Sequence, residues 1–293
     1  MFLHAIGFGI VTAAVLALAA VGFTVQFGVT NILNLAYGDV MTASAFVAYV
    51  SHSAGLNPWW GLVLGGLFGA VFSVLLNRFL YTPFIRRGAR LFTMIIVTIA
   101  VSLILQNCLL AIFGANFFSV HIAAGGTVRV LGMVFTATQL ILVAIAAVAL
   151  AALHGLLRYT RLGKAMRATA SDPELARNCG VPTRWVIDSA WLLSGLLCGL
   201  AGVALVTELG SFDTTTGSVF LVPVIAAAVL GGVGHPYGAM LGALVIGIAS
   251  ELEATYFNPT YKDVVAFGVL IAVLLIRPQG IFAEVAVQKE VAV

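Results

Sequence analysis

The sequence predicts an all-α fold: a polytopic transmembrane helical bundle with about eight or nine membrane segments, some of them broken or re-entrant. Three observations predict it. Of 293 residues, 61% are hydrophobic and only 9% charged, and the mean hydropathy is +1.11, whereas a soluble domain is roughly a quarter charged. Apolar runs recur at about the 20 residues that cross a bilayer at 1.5 Å rise. The remaining charge is concentrated, since "RLGKAMRATASDPELARNCGVPTRWVID" (161–188) holds eight of the charged side chains.

The apolar segments fall at 5–27, 32–51, 59–81, 91–113, 138–157, 188–207, 219–233, 237–255 and 262–277. The first lacks a basic flank and outruns a signal-peptide core, so it reads as a retained helix. Segments 32–51 and 219–233 are short or interrupted by polar residues and glycines, which is why eight and nine are both admissible counts. Trp59 and Trp60 open the third segment as interface anchors. Residues 115–137, with alternation around Gly125-Gly126, read as an external hairpin or loop. Cys108, Cys179 and Cys198 make an odd set, two in apolar runs, so no disulfide framework is expected. Residues 1–293 form a single transmembrane domain, with 158–187 a loop within it.

Basic residues orient the segments. With 158–187 cytoplasmic, alternation also places 78–90 and the tail after Arg277 inside. Twelve of the 14 Lys and Arg residues then lie inside, leaving Arg129 and Lys262 outside. The N-terminus lies outside and the C-terminus in the cytoplasm.

Within the charged segment, "DPELARNCGVP" (172–182) has the marks of a short helix. Asp172 or Ser171 can cap it, Pro173 suits the first helical position, and Glu174 three residues after Ser171 fits a capping box. Gly180 can take the left-handed conformation beyond the end, and Pro182 forbids continuation. The preceding "RYTRLGKAMRATA" is basic and amphipathic. Two readings follow: a self-contained cytoplasmic helix that plugs into a groove on another protein, or a basic loop that meets anionic lipid headgroups.

"ELARNCG" resembles the Glu-x-Ala-x3-Gly core of the cytoplasmic loop that docks ABC-importer permeases on their ATPase. Glu174, Ala176 and Gly180 take its positions, with Leu175 where Ala is usual. "FGVTNILNLAYGDVMTASAFVAYV" (27–50), "GGVGHPYGAMLGALVIG" (231–247) and "YKDVVAFGVLIAVLLIRPQGIFAE" (261–284) resemble the branched-chain amino acid ABC transporter permease family, the high-affinity leucine/isoleucine/valine type. Leu35, Tyr37 and Asp39 stand where that family commonly has Phe, His and Glu, which leaves substrate identity open but not the transporter class. The resemblance implies an inner-membrane permease subunit of a bacterial importer. Its partners would be a second homologous permease subunit, two ABC ATPase subunits and an external substrate-binding protein. Glu174, Ala176 and Gly180, with Asp172 and Arg177 beside them, would carry the ATPase coupling.

No Walker A pattern occurs: the only Gly-Lys pair, Gly163-Lys164, precedes Ala165 and has Arg158 where the first Gly belongs. ATP and magnesium are therefore expected on partner ATPase subunits, with no cofactor, metal or nucleic acid on this chain. The intramembrane acids are too few for a proton or sodium relay, and Glu251 and Glu253 read as solvated at an outer helix end.

Asn31, Asn34, Tyr37, Gly38 and Asp39 are the pathway candidates. A carboxylate at the bilayer centre costs about 2.5–3.5 kcal/mol on insertion scales. Gly38 permits close packing or a break in the helix, and a broken helix would offer backbone groups to an amino acid. The alternative has Asn31 and Asp39 capping a helix end in water. Residues 36–43 share Tyr, Gly and Ala with 236–243, which reads as the trace of an internal repeat and adds Tyr237 as a candidate; glycine packing between helices explains Gly242 and Gly247 equally. Gln106, beside Asn107 and following Thr98 and Ser102, is explained equally by substrate contact or an interhelical hydrogen bond. His121 and His154 have no partner at ligand spacing. A permease for urea or small organic acids and a stand-alone solute channel are the competing functions; a channel has no use for a capped cytoplasmic helix.

Overall fold

A computed structural model describes residues 2–120, 126–130, 133–256 and 262–276. Arg277, Lys289 and His121 lie outside the described residues. Helices account for nearly all of what is described: α1 Phe2–Thr30, α2 Tyr37–Ser53, α3 Pro58–Leu75, α4 Thr82–Arg86, α5 Leu91–Phe113, α6 Ala137–Tyr159, α7 Arg161–Ser171, α8 Pro173–Asn178, α9 Thr183–Leu209, α10 Thr216–Gly231, α11 Pro236–Tyr256 and α12 Lys262–Ile276. Six are long and apolar enough to cross a bilayer, α3 and α4 counting as one through the π-turn Leu76–Tyr81 that joins them. The expected segments 32–51 and 219–233 become α2 and α10, of 17 and 16 residues, each beginning after a break in the chain.

Small residues hold the bundle together. Gly65 and Gly69 of α3 face Gly195 and Gly199 of α9, and a Cβ on Gly69, Gly195 or Gly199 would collide with the opposing carbonyl. Two Gly-x3-Gly faces thus bring the backbones together, the usual route to tight packing where lipid removes the hydrophobic drive between helices. α1 runs through the centre, with Val15 to Val21 buried, and packs against α11, α9, α10 and α6. α5 touches the bundle chiefly at α2 and exposes Ile96, Ile104 and Ile112.

Two breaks lie at opposite ends of the bundle and share one backbone path. α1 stops at Asn31, whose φ is +55°, and α9 stops before Gly210, φ +74°. Each break then turns into the next helix, with the Tyr37 N–H donating to Asn34 O (3.3 Å) and Thr216 N–H to Asp213 O (3.5 Å). Gly38 and Gly217 follow at matching positions and pack on one another, a Cβ on either colliding with the other's carbonyl. Residues 31–38 and 210–217 are an inverted structural repeat. It displaces the alignment of 36–43 with 236–243, where α11 simply begins at Pro236 after the turn at Gly232–Gly234.

In the 115–137 region, Thr127–Val130 (β1) and Met133–Thr136 (β2) pair antiparallel with Val130 opposite Met133. Of the two readings of this region, hairpin or loop, the paired strands make it a hairpin. Thr136 then caps α6 through a reciprocal pair of bonds with Gln139.

Candidate functional site

The segment 160–182 folds as two helices. Thr160 caps α7 by accepting from the Gly163 N–H at 3.1 Å. α7 buries Gly163, Met166 and Thr169, and Met166 packs with Val186 and Ala190 of α9 and Val29 of α1. The polar face of α7 stays outside. Asp172 caps α8, accepting from the Glu174 and Leu175 N–H groups at 2.9 Å each. Ser171 instead ends α7 and donates to Arg167 O, so no capping box with Glu174 forms. Beyond α8, Gly180 has φ +83°, and its N–H reaches Arg177 O while that of Val181 reaches Ala176 O, both at 3.0 Å. This pair of bonds is a Schellman closure, which needs a left-handed residue where Gly180 stands. Ala176 is buried beneath α8, whereas Leu175, Glu174 and Arg177 are exposed. The result is a protruding helix, fixed at both ends and clamped to α1 and α9 through α7.

The 31–39 residues separate into two roles. Asn31 is exposed and terminates α1 in the left-handed conformation, its N–H on Phe27 O at 2.7 Å; that is the capping alternative. Asn34, Tyr37 and Asp39 are fully buried and belong to a polar seam between α1, α2, α5 and α9. The Tyr37 hydroxyl donates to Ala19 O at 3.0 Å. Tyr81 donates to Asn34 Oδ1 at 3.1 Å, and its ring lies 5.2 Å from that of Trp191. Ser194 donates to Gln26 Oε1 at 3.1 Å. Asp39 sits in the first turn of α2, where the helix dipole favours its charge, and accepts from the Ser102 hydroxyl of α5. The π-turn between α3 and α4 swings Asn77 and Tyr81 inward, and Asn77 Nδ2 reaches Asp188 Oδ1 at 2.9 Å. Even so, Gln26 Nε2, Asn34 Nδ2, Asp39 Oδ1, Asn77 Oδ1 and Trp191 Nε1 are buried with no hydrogen-bond partner among the described residues. Each such group costs about 1–3 kcal/mol. A seam with that many unpaired groups gains by admitting water or a polar solute.

Gln106 and Tyr237 stand elsewhere. Gln106 is half-buried on α5, one turn from Ser102, which makes the interhelical bond. Tyr237 is half-exposed at the start of α11, its hydroxyl 2.7 Å from His154 Nδ1 of α6. His154 therefore has a partner the sequence did not announce.

A cavity of about 660 Å³ opens at the end of the bundle opposite α7 and α8. α1, α9, α10, α11 and α12 converge on it, and its charged lining is Glu208, Asp213, Glu251 and Lys262. Thr12 Oγ1 lies 2.9 Å from Glu208 Oε1 and 3.0 Å from Glu251 Oε1, and Lys262 Nζ is 2.6 Å from Glu251 Oε1. Asp213 accepts from the Thr215 N–H and from the Thr215 and Thr216 hydroxyls at 2.7–3.0 Å. Burial opposes its charge, yet these bonds hold its carboxyl below the usual carboxylate range. None of the seven residues expected along the pathway borders this cavity. Glu251, expected in solvent, is instead paired within it. The signal available in the sequence was topological: alternation of the segments puts Thr12, Glu208, Glu251 and Lys262 toward one side of the bundle.

Residues 5–274 match the family described as branched-chain amino acid transport system, permease component. The chain is 31% identical to the high-affinity branched-chain amino acid transport system permease protein LivH of Salmonella typhimurium, over 98% of this chain and 97% of that one. It is 29% identical to the permease protein BraD, of the same description, from Pseudomonas aeruginosa, over 96% and 95% of the two chains. Among solved structures, PsaBC from Streptococcus pneumoniae in complex with Fab matches with a TM-score of 0.52 at 17% identity, over 94% of this chain and 93% of that chain. That last likeness speaks to the fold alone.

Proposed function

The chain belongs to the branched-chain amino acid transport permease family, a multi-pass membrane transporter rather than an enzyme, and from that premise we propose that it is the permease subunit of an ABC importer carrying branched-chain or related hydrophobic amino acids. The whole chain acts as one transmembrane unit in the bacterial inner membrane, N-terminus outside and C-terminus in the cytoplasm. It works beside a second homologous permease, two ATPase subunits that hold ATP and magnesium, and an external protein that delivers substrate.

One observation carries the reading: α8 is a short helix capped by Asp172 and closed at Gly180, presenting Glu174, Leu175 and Arg177 outward over a buried Ala176. Those side chains meet the ATPase. Because Met166 ties α7 to α1 and α9, closure of the ATPase pair moves those two helices together. The unpaired groups of the Asn34–Tyr37–Asp39 seam, which the same helices line, then open to solute. A stand-alone channel would have no use for such a lever.

The test is co-purification with the ATPase subunit. Glu174→Arg combined with Gly180→Leu should abolish ATPase retention while the permease still runs as a monodisperse peak. Undiminished retention would remove the docking assignment. Uptake of labelled leucine, urea and small organic acids by the assembled importer identifies the solute.

A further inference from the structure

We propose that the outer cavity is a substrate subsite of the permease itself, in which Glu208 binds the ammonium group of a free amino acid; this rests on the amino acid transport reading above. The argument is one of elimination among four charges. Asp213 is saturated by Thr215 and Thr216, and Glu251 is neutralised by Lys262. Among the described residues Glu208 has only the Thr12 hydroxyl as a hydrogen-bond partner. That hydroxyl carries a single proton and faces carboxylate oxygens of both Glu208 and Glu251, so it can donate to only one of them at a time. Two carboxylates around one donor, with three acids and one cation in the lining, make a site short of positive charge. Among the described residues the acids are not gathered as metal ligands. An organic cation such as an ammonium group would supply the charge that this lining lacks.

The rest of the cavity fits the remainder of an amino acid. Lys262 Nζ has three donors, of which one is used on Glu251; the others can take the substrate carboxylate. The floor is apolar, formed by Leu16 of α1 and Ile246 of α11, both fully buried. Val219 and Pro223 of α10 complete the wall. Pro223 has no N–H to give the Val219 carbonyl four residues earlier, which leaves that carbonyl without its usual donor within the helix. The volume, about 660 Å³, lies in the range of small-molecule sites, about 300–1,000 Å³. An aliphatic side chain on the floor, an ammonium at Glu208 and a carboxylate at Lys262 engage its apolar wall, its acid and its cation.

The experiment measures equilibrium binding of labelled leucine to the purified full-length chain in lipid nanodiscs, without the external binding protein. Leucinol, which keeps the ammonium and lacks the carboxylate, should compete. 4-Methylpentanoate, which lacks the ammonium, should not. Glu208→Gln should weaken leucine binding about tenfold or more, as expected for a lost hydrogen bond to charge, and Val219→Phe should block the cavity without altering its charge. Absence of saturable leucine binding, or competition by 4-methylpentanoate equal to that by leucine, would overturn the site whatever the variants do. A well-folded Glu208→Gln that binds like wild type would do the same. Leucine import by the wild-type assembly is measured in parallel. Import without a leucine site in the chain sinks the subsite alone, whereas an ammonium-selective site in an assembly that imports no branched-chain amino acid sinks the transport reading instead.

Discussion

The two breaks, 31–36 after α1 and 210–215 after α9, follow one backbone design and contain opposite things. Each begins with a left-handed residue, Asn31 or Gly210, and each ends in a glycine that interlocks with its counterpart. The first is sealed: Asn34, Tyr37 and Tyr81 are buried, and Trp191 closes over Tyr81. The second is open, with Ser211, Phe212, Asp213 and Thr215 bordering the cavity. What differs is what surrounds the two turns: Asn34, Tyr37 and the packed Tyr81–Trp191 pair fill the space at the α7–α8 end, whereas the other turn buries Phe212 yet leaves Ser211, the satisfied Asp213 and Thr215 along a cavity. A transporter that alternates access needs one end closed while the other is open, and an inverted repeat supplies two ends of the same construction.

The comparison is broken most forcefully where the repeats touch. Gly38→Leu should cost about 3 kcal/mol or more, because the added side chain meets the Gly217 backbone and neither helix can retreat from its neighbours. Loss of the monodisperse peak on size exclusion is the expected result. Retention of a stable protein would mean that the two half-helices do not cross where described.

That crossing was only half legible in the sequence, and the reason is physical. The caps of α8 could be read directly because capping is local: Asp172, Pro173 and Gly180 act within a few residues of one another. The sequence offered two uses for Gly38, close packing or a helix break, and the structure has the first. Here Asn31 supplies the left-handed turn while Gly38 supplies closeness. The repeat itself was misaligned because apolar segments draw on a small alphabet: the Tyr-Gly-Ala match of 36–43 to 236–243 is composition, whereas the pairing of Asn31 with Gly210 is visible only as a dihedral angle. The cavity was invisible for another reason. Thr12, Glu208 and Glu251 meet only through the tertiary arrangement of three helices, so each looked like an isolated polar residue near a segment end.

A smaller effect sharpens the contrast at the sealed end. Ser102→Ala removes the donor that Asp39 accepts from, and Asp39 Oδ1 already has no partner among the described residues. A buried carboxyl left without a donor costs about 1–3 kcal/mol. The melting temperature should therefore fall by several degrees, at about 2–4 °C per kcal/mol for a chain of this order of size. Ser102→Thr, which keeps the hydroxyl, should restore most of it. If alanine is silent, α5 does not hold the seam shut.

The smallest expected effect is the most specific to the repeat. Gly210 has φ +74°, is exposed, and has no atom within 4 Å of where a Cβ would stand. Substitution there tests backbone conformation with no packing term. A β-branched residue should cost about 1–2 kcal/mol in the left-handed region, so Gly210→Val should lower the melting temperature by a few degrees. Asn tolerates that region because its short amide bonds locally, and the chain already uses Asn at the equivalent position, φ +55°. Gly210→Asn should accordingly leave stability within about 0.5 kcal/mol of wild type. Equal losses for Val and Asn would show that position 210 needs something Asn31 does not provide, and the two breaks would then share a shape without sharing a rule.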